Sequence, residues 1–106
     1  MRAEEYIEAN WNSVLTIESL AEAIGASARS IFLSFQKARG YSPMAFAKMT
    51  RLRHARRKLS APEADTTVTG VALECGFQNT GHFAMSYRKH FGESPSETLR
   101  MAKARG

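Results

Sequence analysis

The chain states one pattern twice. Leu20-Ala21, Gly25, Ser34, Phe35, Lys37, Gly40 and Ser42-Pro43 return as Val71-Ala72, Gly76, Ser86, Tyr87, Lys89, Gly92 and Ser94-Pro95. The first pairs lie 51 residues apart (20 to 71) and the later ones 52 apart (34 to 86), so the second copy carries one extra residue just after its glycine. Self-similarity at a fixed period marks a supersecondary unit used more than once. A chain of 106 residues has room for one domain, or for two very small units sharing a spine, with a core of modest size.

The punctuation says what the unit is made of. Pro43 and Pro95 each follow a serine, the order expected of an N-cap and the first helical position. Ser94-Pro95-Ser96-Glu97 also has the form of a capping box, in which the Glu97 carboxylate returns to the Ser94 backbone. Pro62, within Ser60-Ala61-Pro62-Glu63-Ala64-Asp65-Thr66-Thr67, reads as the loop between the copies. Apolar residues recur at helical spacing: Ile17, Leu20, Ala21 and Ile24; Ile31, Phe35 and Ala38; Met49, Leu52, Ala55 and Leu59; Val68, Val71, Ala72 and Cys75; Phe83, Tyr87 and Phe91. No segment alternates as a strand would. The expectation is an all-α fold of seven helices, near 3 to 10, 17 to 24, 28 to 39, 43 to 59, 68 to 75, 80 to 91 and 95 to 102. Thr16 and Ser27 cap the second and third helices across a short turn holding Gly25, and Thr67 caps the fifth before the longer turn Gly76-Phe77-Gln78-Asn79. Both are helix-turn-helix arrangements. Gly70, in the first turn of a short helix, is the one discordant local choice, at about 1 kcal/mol against alanine.

Charge narrows the partner. Fifteen Lys and Arg against ten Asp and Glu give a net +5, which favours an anionic partner, nucleic acid ahead of a membrane face or an acidic protein. The sole cysteine, Cys75, stands among Val71, Ala72, Leu73 and Phe77, as a buried reduced thiol of a cytoplasmic protein would. No apolar run has the length of a membrane span and the first residues have no signal-peptide core, so no membrane role is expected. His54, His82 and His90 are scattered with no carboxylate at a metal-ligand spacing, and no phosphate-cradling glycine motif occurs. Catalysis, a metal and a cofactor are not expected.

A helix-turn-helix holds its second helix against a groove of DNA. With Ile31, Phe35 and Ala38 inward, the opposite face of helix 28 to 39 carries Arg29, Leu33 and Gln36, flanked by Phe32 and Lys37. With Phe83 and Tyr87 inward, helix 80 to 91 presents Gly81, Met85 and Arg88, flanked by His82 and Lys89. Arg29 lies in the first turn, which enters a major groove first, and a guanidinium pairs with guanine O6 and N7. Gln36, Lys37, Arg88 and Lys89 lie toward the C-terminal halves and suit backbone phosphate. Phe32, Leu33 and Met85 either complete the packing or touch thymine methyls; helical spacing alone leaves both open. His82 is a candidate donor to a base or phosphate, and Gly81 at most permits close backbone approach. Arg51-Leu52-Arg53-His54-Ala55-Arg56-Arg57-Lys58 is the densest charge run, either a solvated basic face or further DNA contacts.

Taken together these residues resemble the DNA-binding domain of the AraC/XylS family of bacterial transcription regulators. The resemblance runs through Thr16-Ile17-Glu18-Ser19-Leu20-Ala21, Ser27-Ala28-Arg29-Ser30-Ile31, Gly40-Tyr41-Ser42-Pro43, Arg51-Leu52-Arg53-His54-Ala55, Gly76-Phe77, His82-Phe83 and Phe91-Gly92-Glu93-Ser94-Pro95. It implies a first helix-turn-helix subdomain (1–42), a long linker helix (43–60) and a second subdomain (61–106), each placing a recognition helix in a major groove of double-stranded DNA. Carried onto this sequence, the first helix would present Arg29, Phe32 and Leu33 to bases, and the second Thr80, Gly81, His82 and Met85. A polar or basic residue is usual in the family near Phe32 and Leu33, and this chain departs from that. The resemblance also implies an N-terminal sensing or dimerisation domain outside these residues. An alternative reading is a helical interaction module that docks on RNA polymerase or another regulator.

Overall fold

The computed structural model describes residues 3–13 and 15–105 and is all-α, with no strand among them. The ends of the expected first and last segments, residues 1 and 106, lie outside the described residues. Among the described residues seven helices follow one another: α1 (Ala3–Ala9), α2 (Ile17–Ile24), α3 (Ala28–Arg39), α4 (Pro43–Ser60), α5 (Val68–Glu74), α6 (Thr80–Phe91) and α7 (Pro95–Arg105). They form two compact units, Met1–Thr50 and Arg51–Gly106, and the boundary falls within α4.

In the first unit Ile7, Leu20, Ile31, Phe35, Phe46 and Ala47 form the core, with Tyr41 and Met44 packed against it. The Phe35 and Phe46 rings meet at 5.7 Å between centroids, and Tyr41 stacks on Phe46 at 6.4 Å. In the second unit the buried residues include Leu52, Ala55, Leu59, Val71, Ala72, Cys75, Phe83 and Tyr87. Phe77 and Tyr87 flank Phe83 at centroid distances of 4.8 and 5.7 Å.

The repeat reaches further than the residue identities that announce it. Ile7 and Leu59, 52 apart (7 to 59), are both fully buried, so α1 does for the first unit what the end of α4 does for the second. Phe46 and Thr98, also 52 apart (46 to 98), are both buried, but their chemistry differs. Where Phe35 meets Phe46 through rings, Tyr87 donates its hydroxyl to Thr98 Oγ1 at 2.8 Å, and Thr98 in turn donates to Glu93. A phenol buried this deeply needs a partner for its hydroxyl, and Thr98 supplies it where a phenylalanine could not.

Local chemistry sets the helix ends. Thr16 Oγ1 accepts the Ser19 N–H and Ser19 Oγ accepts the Thr16 N–H, both at 3.0 Å, a reciprocal box at the start of α2. Ser42 Oγ accepts the Ala45 N–H at 3.1 Å. Ser94 and Glu97 form the expected box at 3.1 Å in each direction, and those hydrogen bonds hold the Glu97 carboxyl below its ordinary value. Gly25 ends α2 at φ 71°, a left-handed conformation that a side chain would strain.

Gly70 has a local reason to be glycine. Its N–H donates to Thr67 Oγ1, the cap of α5, and a Cβ there would stand 3.0 Å from that same oxygen. The helix thus gives up propensity where a methyl would crowd its cap.

One inward assignment changes. Ala38 is exposed, because Arg39 covers the end of α3 instead: its guanidinium pairs with Glu4 and lies 5.3 Å from the Phe46 ring centroid. Leu73, inside the apolar stretch around Cys75, is 59% exposed, since α5 buries the face carrying Val71, Ala72 and Cys75. Helix ends also shift, with α1 stopping at Ala9, α4 reaching Ser60, α5 stopping at Glu74 and α7 running to Arg105.

Burial pushes the Cys75 thiol up to about 11. The native state therefore holds the protonated form, while the unfolded chain ionises near the ordinary value of 9.0. This contribution to stability is complete below about pH 9 and is lost as pH rises toward about 11. Urea unfolding across that range should show falling stability, with a shallower fall in Cys75→Ala. At pH 8 a thiol reagent should modify native protein no faster than it opens.

Candidate nucleic-acid interface

Each unit holds one helix by its inner face and leaves the outer face to solvent. In α3, Ser27 Oγ accepts the Ser30 N–H at 3.1 Å, and Ile31 and Phe35 anchor the helix in the core. The outer stripe is Arg29, Leu33 and Gln36, three or four residues apart, flanked by Phe32 and Lys37, and all five are exposed. In α6, Asn79 Oδ1 accepts the His82 N–H at 2.9 Å, and Phe83 and Tyr87 are the anchors. Thr80, Gly81, His82, Met85, Arg88 and Lys89 are all exposed on α6. Every sequence-derived candidate is thus at the surface, five on α3 and six on α6.

The apolar candidates do not complete the packing. Phe32 is 43% exposed, Leu33 52% and Met85 71%, on helices whose inner faces are buried at Ile31 and Phe35 and at Phe83 and Tyr87. Gly81 gains a structural explanation, because a Cβ there would lie 3.2 Å from the capping oxygen of Asn79. Asn79, the last residue of the turn, is the N-cap of α6. Asparagine is a preferred N-cap, and its place just before the first helical residue was the available signal.

Much of the basic run is occupied within the second unit. The Arg56 guanidinium lies 4.7 Å from the Phe91 ring centroid. Lys58 Nζ pairs with Glu74 at 3.1 Å, and this hydrogen bond raises the lysine above its ordinary value. The Arg51 guanidinium packs under the turn, 3.4 Å from where a Cβ on Gly76 would stand. Gly76 has φ 88°, so glycine suits both the turn and the close arginine. His54 is pushed below its ordinary value by burial, reinforced by Arg57, Arg53 and Lys58. Arg51 and Arg56 are half-buried by these contacts, so for them a structural role replaces the solvated face, whereas Lys58 and Glu74 pair on the exposed surface. Among the described residues no group of three or more His, Cys, Asp or Glu could hold a metal, and no helix is long and apolar enough to cross a membrane.

Residues 20–101 match the family described as a helix-turn-helix domain. A crystal structure of a probable AraC family transcriptional regulator from Rhodopseudomonas palustris is 59% identical, with a TM-score of 0.90, covering 95% of this chain and 94% of that one. The chain belongs to the AraC/XylS family. Among AraC/XylS relatives, the XylDLEGF operon transcriptional activator 3 of Pseudomonas putida is 41% identical over 103 residues, covering 96% of this chain and 31% of that protein. The chain therefore spans about a third of the length of such relatives. The AraC/XylS fold is also shared with the DNA-binding domain of AdpA, solved in complex with a target DNA, at 24% identity and a TM-score of 0.83 over 97% of this chain and 91% of that one.

Proposed function

We propose that this chain is a sequence-specific DNA-binding transcription regulator in which α3 and α6 each enter a major groove, so that the two boxes of one asymmetric promoter site are read by different side chains. The observation that carries the reading is the pair of anchored helices whose exposed outer faces hold cations and differ at the leading positions, Arg29 in one and Gly81 in the other. Membership of a family whose members are named transcriptional activators supports it.

In this reading Arg29, Phe32, Leu33, Thr80, Gly81, His82 and Met85 meet bases, while Gln36, Lys37, Arg88 and Lys89 meet phosphate. Residues 1–42 and 61–106 serve as the reading segments and 43–60 as the linker helix. The role is binding rather than catalysis, and its place is the cytoplasm. In the full-length protein a sensing or dimerisation domain precedes this region, as the threefold greater length of the relatives suggests. As a regulator it would also contact RNA polymerase, for which an exposed helix face is available.

A mobility-shift assay with excess random DNA tests the reading. Specific binding should survive the competitor. Arg29→Ala should relax preference at one base position, whereas Arg88→Ala should weaken all sequences by a similar factor. Identical base preferences for the wild type and the Arg29 variant would remove Arg29 from base readout.

A further inference from the structure

Five large apolar side chains are exposed among the described residues, and three of them, Phe32, Leu33 and Met85, stand on the outer faces of α3 and α6. The first unit concentrates them: Phe32 and Leu33 are adjacent, with Arg29 one turn before and Gln36 and Lys37 one turn after. The matching positions of the second unit, 52 residues on, are Ala84 for Phe32 and Met85 for Leu33. Only the first unit thus offers an aromatic ring beside a branched aliphatic chain. That patch sits on a stripe bearing Arg29 and Lys37, so its occupant is anionic at the edges and carries small apolar groups between. The major groove of DNA offers this combination, phosphates at both walls and the C5-methyl of thymine projecting from the base edge.

We propose that the box read by the first unit is recognised through thymine C5-methyl groups packed against Phe32 and Leu33, with Arg29 supplying the hydrogen-bonding part. This rests on the proposed DNA reading and adds the chemical basis of selection. The second box, facing Thr80, Gly81, His82 and Met85, depends less on methyls.

Deoxyuridine replaces thymine with loss of the methyl alone, leaving both Watson–Crick and groove hydrogen-bonding groups in place. The probe is the duplex enriched from a random pool by the wild-type protein, with thymines of one box at a time changed to deoxyuridine. Each contacted methyl in the first box should be worth about fourfold in affinity, as expected for one buried carbon. The same change in the second box should cost less. Phe32→Ala and Leu33→Ala, both at exposed positions, should bind the thymine duplex more weakly and lose most of the difference between thymine and deoxyuridine. Equal wild-type affinity for both duplexes, a first box without thymine, or full methyl sensitivity in the two variants would each overturn the proposal. A pool that yields no enriched sequence would instead overturn the DNA reading on which it rests.

Discussion

Raising monovalent salt from 50 to 200 mM should weaken specific DNA binding about 10³- to 10⁴-fold. Arg29, Lys37, Arg88 and Lys89 lie exposed on α3 and α6, on a chain of net charge +5. With about six to eight phosphates neutralised, log K against log salt should have a slope of about −5 to −7, because each contact releases condensed counterions. Arg88→Ala should make the slope shallower by about one. The measurement is a titration at four or five salt concentrations by fluorescence anisotropy. A slope near zero would be incompatible with groove binding through these faces, whereas the predicted slope with no sequence preference would leave only nonspecific association.

Phe83→Ala should unfold the second unit or bring it close to unfolding. Phe83 is fully buried, with aromatic neighbours on both sides. Truncating a buried phenylalanine costs about 3–5 kcal/mol through lost transfer energy and the cavity left behind. Small domains have only about 5–15 kcal/mol to lose. The control is Leu73→Ala, which removes an equally apolar but exposed side chain of the same unit and should change stability by no more than about 0.5 kcal/mol. Urea titrations followed by circular dichroism compare the two. Similar midpoints for both variants would contradict the core described above.

What was legible in the sequence was local. The caps at Thr16, Ser27, Thr67 and Ser94 follow from a hydroxyl standing just before a helical period, and the structure places each hydrogen bond there. The outer faces of α3 and α6 were legible because Ile31 with Phe35, and Phe83 with Tyr87, fix the rotation of each helix. What escaped depends on partners distant in sequence. Ala38 loses its inward place to Arg39, whose position is set by Glu4, 35 residues earlier. The basic run looked like one charged face because nothing in its order reveals that Arg56 meets Phe91 or that Lys58 meets Glu74. The correspondence of α1 with the end of α4 was hidden because Ile7 and Leu59 share burial but not identity. Gly70 reads as a weak helix position and Gly81 as room for close backbone approach, and their place beside the capping oxygens of Thr67 and Asn79 appears only in the structure.

In the proposed function one frame, used twice, reads two different boxes of one DNA site. Selection of bound sequences from a random duplex pool tests it most directly. The expected result is an enriched asymmetric motif of two unlike boxes about one helical turn, 10 to 10.5 base pairs, centre to centre. Inserting half a turn between the boxes should remove most of the affinity. A palindromic motif, a single box, or equal binding after the half-turn insertion would contradict it.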